Sequence, residues 1–167
     1  MTLSDTLPSP FISELMEIEP GWIDYNGHLN MAYYTVLFDR AGDQVYPLLG
    51  FGADYAATRQ LTTYTAEFHV RYLRELHLGD RVRSSFYMIA HDEKRFHSFQ
   101  ELYHEDGWLA ATGEGLTLHV DMSGPKVTPM PTEIQARVAA MEAAHAALPR
   151  PDGIGRTISI HSKLAKR

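Results

Sequence analysis

The sequence predicts an α+β fold in which an antiparallel sheet wraps around one long, buried helix. Residues 31–49 are apolar almost all round, which is typical of a helix buried on most sides. Four consecutive segments between residues 63 and 121 have the pattern of strands joined by short turns. The chain has 167 residues, of which 44% are hydrophobic, and this matches one domain with its own core.

The elements before the sheet follow from local signals. Residues 11–19 are expected to form a strand that ends at Pro20, because proline cannot donate a backbone hydrogen bond. Asn30 is a suitable N-cap for the long helix, and Gly50 is a suitable residue for its end. Residues 51–59 are then expected to form a connecting segment.

The second half of the chain contains the predicted sheet. The first strand alternates polar residues with apolar ones, which are Tyr64, Ala66, Phe68, Val70 and Tyr72. This period of two predicts that these five side chains share one buried face. The strands are expected at residues 63–73, 82–90, 95–104 and 108–121, and the short turns between them predict a meander.

The last predicted strand carries small residues, Ala111, Gly113 and Gly115, on one face, which suggests a close neighbour or a bend. Prolines at 129 and 131 introduce a final helix that runs to about Ala147. The predicted domain therefore covers residues 11–147, and residues 148–167 are expected to form a loose C-terminal tail. A sheet wrapped around one central helix is the hotdog architecture.

The composition excludes several kinds of chemistry and partner. The chain has no cysteine, which excludes disulfides, thiolate-bound zinc and a cysteine nucleophile. Its nine histidines show no metal-ligand spacing, so we expect no metal and no cofactor. A net charge of −6 without a basic block argues against a nucleic-acid partner. The sequence shows no signal-peptide pattern and no long apolar run, which predicts a cytoplasmic protein without a membrane partner.

Two stretches carry a family resemblance. The loop before the long helix contains Asp24, Gly27, His28 and Asn30 in the spacing D-x-x-G-H-x-N. This pattern resembles the active-site loop of hotdog-fold thioesterases of the 4-hydroxybenzoyl-CoA thioesterase type. The stretch T-A-E-F-H-V-R-Y-L-R-E-L-H-L-G-D at residues 65–80 is similar to the second strand and turn of that family. The resemblance implies acyl-CoA hydrolysis; the alternatives are a non-hydrolytic acyl-CoA-binding module and a dehydratase-like hotdog enzyme.

The loop residues suit this chemistry on physical grounds. Thioester hydrolysis needs a base or a nucleophile, together with donors for the oxyanion that forms. Asp24 can supply the first, either as the base for a water molecule or as a nucleophile that forms a mixed anhydride. Free backbone N–H groups from Gly27 to Met31, at the positive end of the helix, can supply the second. His28 and Asn30 are the other two candidate catalytic residues of the loop. Structural roles stay open for all three: Asp24 in an Asx-turn or a cap, His28 as a group that orients the loop, and Asn30 as a plain N-cap.

The same stretches are similar to betainyl-CoA thioesterases of bacterial carnitine breakdown, which implies an acyl group with a quaternary ammonium. Such a group cannot donate a hydrogen bond, so aromatic faces recognise it. The candidate substrate-binding residues are Trp22, Tyr25, Gly27, Met31, Tyr33 and Tyr34. Tyr33 and Tyr34 could instead be core residues of the buried helix. Arg71 and Arg74 are the candidate contacts for the CoA phosphates.

A second candidate for the catalytic carboxylate lies on the long helix, where Asp39 and Asp43 are one turn apart, because related hotdog enzymes place their acid on this helix. A pairing of Arg40 with Asp43 is the favoured alternative, since isolated charges on a buried helix are costly. Glu67 and His69 could line an active site or meet solvent. The long strand at residues 63–73 predicts a homodimer or homotetramer, because an exposed strand can pair with its copy.

Overall fold

A computed structural model describes residues 7–160 of the chain. The elements are, in order, β1 (Phe11–Ile12), β2 (Met16–Glu17), a 3₁₀ helix (Pro20–Trp22), α1 (Met31–Leu49), α2 (Ala53–Arg59), β3 (Leu61–Tyr72), β4 (Arg81–His91), β5 (Arg95–His104), β6 (Leu109–Asp121), β7 (Lys126–Val127) and α3 (Thr132–Ala146). The predicted α+β class is confirmed, since α1 packs with its apolar side against an antiparallel sheet. None of the helices described between residues 7 and 160 has the length and apolar character needed to cross a membrane.

The strands form one antiparallel sheet of seven. Its main order is β1-β4-β5-β6-β3, and β2 also pairs with β4 while β7 pairs with β6. The predicted meander is therefore correct for β4, β5 and β6 but wrong for β3, which lies beside β6. The connection at residues 73–80 makes this possible, because it can span up to ~26 Å whereas three strand spacings need only ~14 Å. In the described sheet β3 is consequently an edge strand.

Helix α1 has the predicted bounds. The side-chain oxygen of Asn30 accepts a hydrogen bond from the N–H of Ala32 at 3.0 Å, so Asn30 is the N-cap. Gly50 ends the helix with a φ of +92°, a left-handed conformation that glycine adopts without a steric penalty. The face towards the sheet is buried and contains Tyr34, Leu37, Phe38, Ala41, Gly42, Val45 and Leu49.

A β-bulge in β3 changes which residues face α1. The register with β6 shifts between Thr65 and Glu67, so Ala66 is the extra residue. Thr65 before the bulge and Phe68 after it line the same cavity beside α1. The prediction of one continuous apolar face is therefore wrong at the start of β3, where Tyr64 is 47% exposed.

The glycines of β6 lie directly under aromatic rings. A Cβ atom built on Gly113 would lie 2.5 Å from Cζ of Phe68 and 3.2 Å from Cδ2 of Phe38. A Cβ on Gly115 would lie 3.1 Å from Cδ2 of Phe68. The expectation of a close neighbour is confirmed, because both glycines lie against the Phe68 ring. That ring meets the Phe38 ring edge to face, with centroids 5.6 Å apart.

The segment before α1 differs from the single strand that was expected. Residues 11–19 form two short strands, β1 and β2, which pair with different parts of β4. The N–H of Ser84 donates to the side-chain oxygen of Ser13 at 2.9 Å, and the N–H of Ser13 donates to the Ser84 carbonyl at 2.9 Å. The hydroxyl oxygen of Ser13 therefore replaces a backbone carbonyl as the acceptor of the Ser84 N–H, and the regular pairing with β4 is interrupted between β1 and β2.

Two connecting regions are more ordered than predicted. Residues 51–59 contain α2, which starts after Gly52 and ends at Arg59. In the expected loose tail, the N–H of Gly155 donates to both carboxylate oxygens of Glu114 at 2.9 Å. The part of the tail up to residue 160 therefore contacts the sheet through this bond, and residues 161–167 lie outside the described residues.

Candidate active site

The loop between the 3₁₀ helix and α1 folds back on itself. Ile23 and Leu29 form an isolated antiparallel bridge, and the N–H of Asp24 donates to the carbonyl of His28 at 3.1 Å. The tip turns at Gly27, whose φ of +82° favours glycine and whose N–H donates to the Asp24 carbonyl at 3.0 Å. These bonds hold Asp24 beside the start of α1.

The half-buried carboxylate of Asp24 has one oxygen in use. Its Oδ1 accepts a hydrogen bond from the N–H of Asn26 at 2.8 Å, which forms an Asx-turn. Among residues 7–160 no group donates a hydrogen bond to Oδ2. Of the two structural roles left open for Asp24, the Asx-turn is therefore present, whereas the helix is capped by Asn30. Oδ2 stays available to a substrate or to a water molecule.

Most backbone N–H groups around the start of α1 are already hydrogen-bonded. The expectation of free donors from Gly27 to Met31 is wrong for Gly27, Leu29 and Asn30, whose N–H groups donate to backbone carbonyls. The N–H groups of Ala32 and Tyr33 are used, because both donate to Asn30 at 3.0 Å. The N–H of Met31 has no acceptor within the described part of the chain. Nothing lies within 4 Å of a Cβ atom built on Gly27, so a ligand can approach closely there. A free N–H at the positive end of a helix is suited to an oxyanion.

His28 lies in the loop without contacting the Asp24 carboxylate. Its Nδ1 is 3.5 Å from the carbonyl oxygen of Leu29, which is the outer limit of a hydrogen bond. No hydrogen bond joins the His28 ring to Asp24 in the region from residue 7 to residue 160. This geometry suits a residue that shapes the loop better than one that transfers a proton with Asp24.

The aromatic candidates occupy different environments. Trp22 is buried, with the Tyr33 ring stacked at 5.3 Å and the Arg40 guanidinium 4.7 Å from its centroid. Tyr34 is also buried, and burial raises its pKa to about 12, so it is the core residue that the alternative interpretation described. Tyr25 is 97% exposed. The four rings are therefore not assembled around one space.

Arg40 is not the partner of Asp43. Its Nη1 donates to Oε1 of Glu19 at 2.7 Å, so the predicted pairing is wrong. The reason is that the Arg40 side chain lies over Trp22 and extends towards the segment before the loop. No basic side chain in the described chain forms an ion pair with Asp39 or Asp43. Burial, and then the charge of Asp43, raises the pKa of Asp39.

A cavity of about 290 Å³ lies between α1 and the sheet. Four aromatic residues contribute to its wall, namely Phe38, Tyr46, Phe68 and Phe86. Thr35 and Asp39 line it from the exposed stripe of α1. Sequence reasoning named Asp39 but missed the rings, because they come from α1, β3 and β4 and share no motif.

The two candidate CoA-binding arginines lie in different places. Arg74 is exposed and follows β3, in a segment that contacts the loop: the N–H of Leu29 donates to the carbonyl of Leu76 at 2.7 Å. Arg71 instead lies against Gly153, since a Cβ atom built there would be 1.9 Å from its Nη1. Of the two, Arg74 is therefore the one whose segment is hydrogen-bonded to the loop, and its guanidinium lies 4.0 Å from the centroid of the Trp108 ring.

Glu67 and His69 do not line the cavity beside α1. They line a separate surface depression together with Glu114 and His97. His97 Nε2 lies 2.7 Å from Oε1 of Glu114, but nowhere in the described residues are three or more His, Asp or Glu side chains arranged so that they could hold a metal ion. This depression is therefore distinct from the loop that holds Asp24.

Known proteins resemble this chain over most of its length. The sequence matches the thioesterase-like superfamily over residues 18–138. It is 37% identical over 142 residues to a betainyl-CoA thioesterase of Pseudomonas aeruginosa, covering 84% of this chain and 89% of that protein. It is 34% identical over 143 residues to an L-carnitine dehydrogenase/betainyl-CoA thioesterase of Rhizobium meliloti, covering 85% of this chain and 29% of that longer protein.

A solved structure agrees with these matches. A Staphylococcus aureus protein determined in complex with CoA has 26% identity and a TM-score of 0.84, with 94% of this chain and 99% of that chain covered. The resemblance to hotdog thioesterases inferred from the loop is thereby confirmed. Because the family match extends over most of the chain, this protein belongs to the thioesterase-like superfamily.

Proposed function

We propose that this acyl-CoA thioesterase hydrolyses betainyl-CoA and that Asp24 is its catalytic carboxylate. The observation that carries the assignment of Asp24 is that its Oδ2 accepts no hydrogen bond from residues 7–160, in a loop that leads directly into α1, where the Met31 N–H has no acceptor among the same residues. The choice of acyl group is supported by the names of the Pseudomonas aeruginosa and Rhizobium meliloti relatives. Those names also support a role in carnitine breakdown, and a cytoplasmic location stays a prediction of the sequence.

The reaction consumes one water molecule and releases glycine betaine and CoA. In the general-base route, Asp24 takes a proton from water, whose oxygen attacks the thioester carbonyl carbon. The negative charge that develops on the carbonyl oxygen is stabilised by backbone donors such as the Met31 N–H, and the C–S bond then breaks. In the nucleophilic route, the Asp24 carboxylate attacks the carbonyl carbon, the C–S bond breaks and CoA leaves as the thiolate; water then hydrolyses the mixed anhydride, which releases glycine betaine and restores the carboxylate.

We assign the CoA moiety to the side of the loop where Arg74 lies. An exposed guanidinium can bind a phosphate group in a bidentate manner. The segment of Arg74 is hydrogen-bonded to the loop through Leu76 and Leu29, which supports this position. A role for Arg71 is less well supported, because its guanidinium lies against Gly153 of the C-terminal segment.

We also propose a homodimer, or a homotetramer built from it, through β3. This strand is 12 residues long and lies at the edge of the described sheet. An uncovered edge presents unpaired N–H and C=O groups, and pairing with a second copy satisfies them. Light scattering at micromolar concentration should give at least twice the monomer mass of 18.9 kDa, and a fully active monomer would contradict the proposal.

The Asp24→Asn variant tests the catalytic assignment. Asparagine keeps the side-chain oxygen that accepts from the N–H of Asn26, so the loop should fold unchanged. It cannot act as a base or a carboxylate nucleophile, and turnover should fall by roughly 100-fold or more. Release of free thiol from betainyl-CoA measures the rate, and thermal unfolding measures the fold.

Asp54→Asn is the matched control. Asp54 is exposed in the first turn of α2, away from the loop and the cavity, so this variant should retain wild-type turnover. If Asp24→Asn also turns over within a few-fold of wild type, with unchanged melting, Asp24 is not the catalytic group. Attention would then move to Asp39.

A further inference from the structure

The betainyl group limits where its ammonium can bind. Two bonds separate the quaternary nitrogen from the thioester carbonyl carbon, a distance of about 2.5 Å. When the carbonyl oxygen accepts a hydrogen bond of ~2.9 Å from the Met31 N–H, the ammonium lies at most ~7 Å from the Met31 nitrogen. The groups that recognise the ammonium must therefore lie beside the first turn of α1.

Tyr72 is an aromatic residue that lies beside this turn. Its hydroxyl donates a hydrogen bond to the carbonyl oxygen of Met31 at 3.3 Å. Because the nitrogen and the oxygen of one residue are less than ~4 Å apart, the Tyr72 hydroxyl is within ~7 Å of the Met31 nitrogen. The hydroxyl end of the ring and the ammonium are therefore confined to the surroundings of the same backbone nitrogen.

The Tyr72 ring is held in position and is still accessible. Tyr72 is the last residue of β3, and its ring meets that of buried Tyr34 edge to face, with centroids 5.1 Å apart. Tyr72 is nevertheless 44% exposed, so a ligand at the start of α1 can reach the ring. Side chains project from the faces of a sheet, so pairing of the β3 edge with a second copy leaves the ring directed at α1.

The other aromatic rings near the loop are less suitable. Trp22 and Tyr34 are buried, and the Tyr33 ring is stacked on Trp22. Tyr25 is 97% exposed, and a cation on such a ring stays hydrated, which weakens the attraction. Tyr72 is thus the aromatic residue that is both held beside Met31 and open to a ligand.

We infer that the Tyr72 ring contacts the trimethylammonium of the acyl group and thereby selects betainyl-CoA over neutral acyl-CoA compounds. The inference rests on the proposed function, because it takes betainyl-CoA as the substrate with its carbonyl oxygen at the Met31 N–H. A quaternary ammonium has no N–H to donate, and the face of an aromatic ring attracts it. Tyr72 of β3 thus joins a set of candidate substrate-binding residues that otherwise lie between residues 22 and 34.

The Tyr72→Leu variant tests the inference by comparing two substrates. Betainyl-CoA and 3,3-dimethylbutanoyl-CoA have the same shape, but the second has a carbon atom in place of the charged nitrogen. Leucine fills space without an aromatic face, so kcat/KM for betainyl-CoA should fall by about 10-fold, the factor that corresponds to ~1.4 kcal/mol. The value for the neutral compound should stay within about threefold, because it makes no cation–π contact.

Two aromatic replacements separate the ring from the hydroxyl. Tyr72→Phe keeps the ring and should retain the preference for betainyl-CoA, whatever the lost hydrogen bond to Met31 does to both substrates alike. Incorporation of 3,4,5-trifluorophenylalanine at position 72 keeps the shape but withdraws electrons from the ring face. It should lower the preference relative to Tyr72→Phe, and it decides the question if Tyr72→Leu does not fold.

Tyr64→Leu is the matched control. Tyr64 is 47% exposed and belongs to the same strand, eight residues before Tyr72 and on the other side of the β-bulge. This variant should leave the ratio of the two kcat/KM values unchanged. Thermal unfolding of each variant shows whether the fold is retained.

The possible outcomes distinguish the inference from the function on which it rests. An equal loss of activity on both substrates in Tyr72→Leu would show a structural role, and no loss on either would show that Tyr72 recognises nothing; both overturn the inference. If wild type prefers betainyl-CoA and Tyr72→Leu keeps that preference, only the inference fails. If wild type hydrolyses other acyl-CoA compounds but not betainyl-CoA, the proposed substrate fails with it.

Discussion

Replacing Gly113 by alanine should strain the contact between β6 and α1. The added Cβ would lie 2.5 Å from Cζ of Phe68 and 3.2 Å from Cδ2 of Phe38. Carbon atoms pack best at about 3.5–4.0 Å, so the Phe68 ring must move by ~1 Å or more. That ring lines the cavity beside α1, and its displacement should therefore change the shape of the cavity as well as the stability.

The size of the effect follows from two opposing contributions. Overpacking a well-filled core typically costs about 1–3 kcal/mol. Alanine is favoured over glycine within a strand by roughly 0.5–1 kcal/mol, which offsets part of that cost. We therefore expect a net loss of about 1–2 kcal/mol in the free energy of unfolding. For a domain of this length, that corresponds to a decrease in Tm of about 2–8 °C.

Thermal unfolding and thiol release from betainyl-CoA should be measured together. Gly124→Ala is the matched control, because nothing lies within 4 Å of a Cβ atom at Gly124, and it should melt like wild type. Combining Gly113→Ala with Phe68→Leu should recover part of the stability, since leucine lacks the ring atom that clashes. An unchanged Tm for Gly113→Ala alone would refute the packing of Phe68 described above.

Two further predictions concern stability. Asn30→Ala removes the acceptor of the Ala32 N–H and should lower the free energy of unfolding, measured with urea, by about 1 kcal/mol. Asn30→Asp keeps an acceptor and should have the stability of wild type. Equal stability of wild type and both variants would exclude the cap. Buried His145 accepts from the Met88 N–H at 2.8 Å through Nδ1, and burial lowers its pKa. Because the unfolded state then binds the proton more readily, stability should fall as pH decreases below the unfolded value of about 6.5, until the pH passes the folded-state pKa. His145→Gln should show a smaller decrease over the same pH range, and an equal decrease would contradict this cause.

The part of the site that could be predicted is contiguous in the chain. The cap at Asn30 and the stop at Gly50 depend on the residues beside them, and the structure has both where local signals predicted them. The catalytic role of Asp24 stays a prediction, although its loop has the geometry that the role requires. The aromatic wall could not be predicted, because Phe68 and Phe86 approach Phe38 only after the strands have paired.

Sequence alone therefore determined the fold class, the bounds of α1 and the loop that contains Asp24. These features depend on interactions over a few residues, which periodicity, caps and turn residues record directly. The tertiary structure decided that β3 lies beside β6, that the bulge at Ala66 reverses which side chains face α1, and that Arg40 binds Glu19 rather than Asp43. Each of these depends on strand order, register or contacts between distant segments, and local patterns are compatible with several such arrangements.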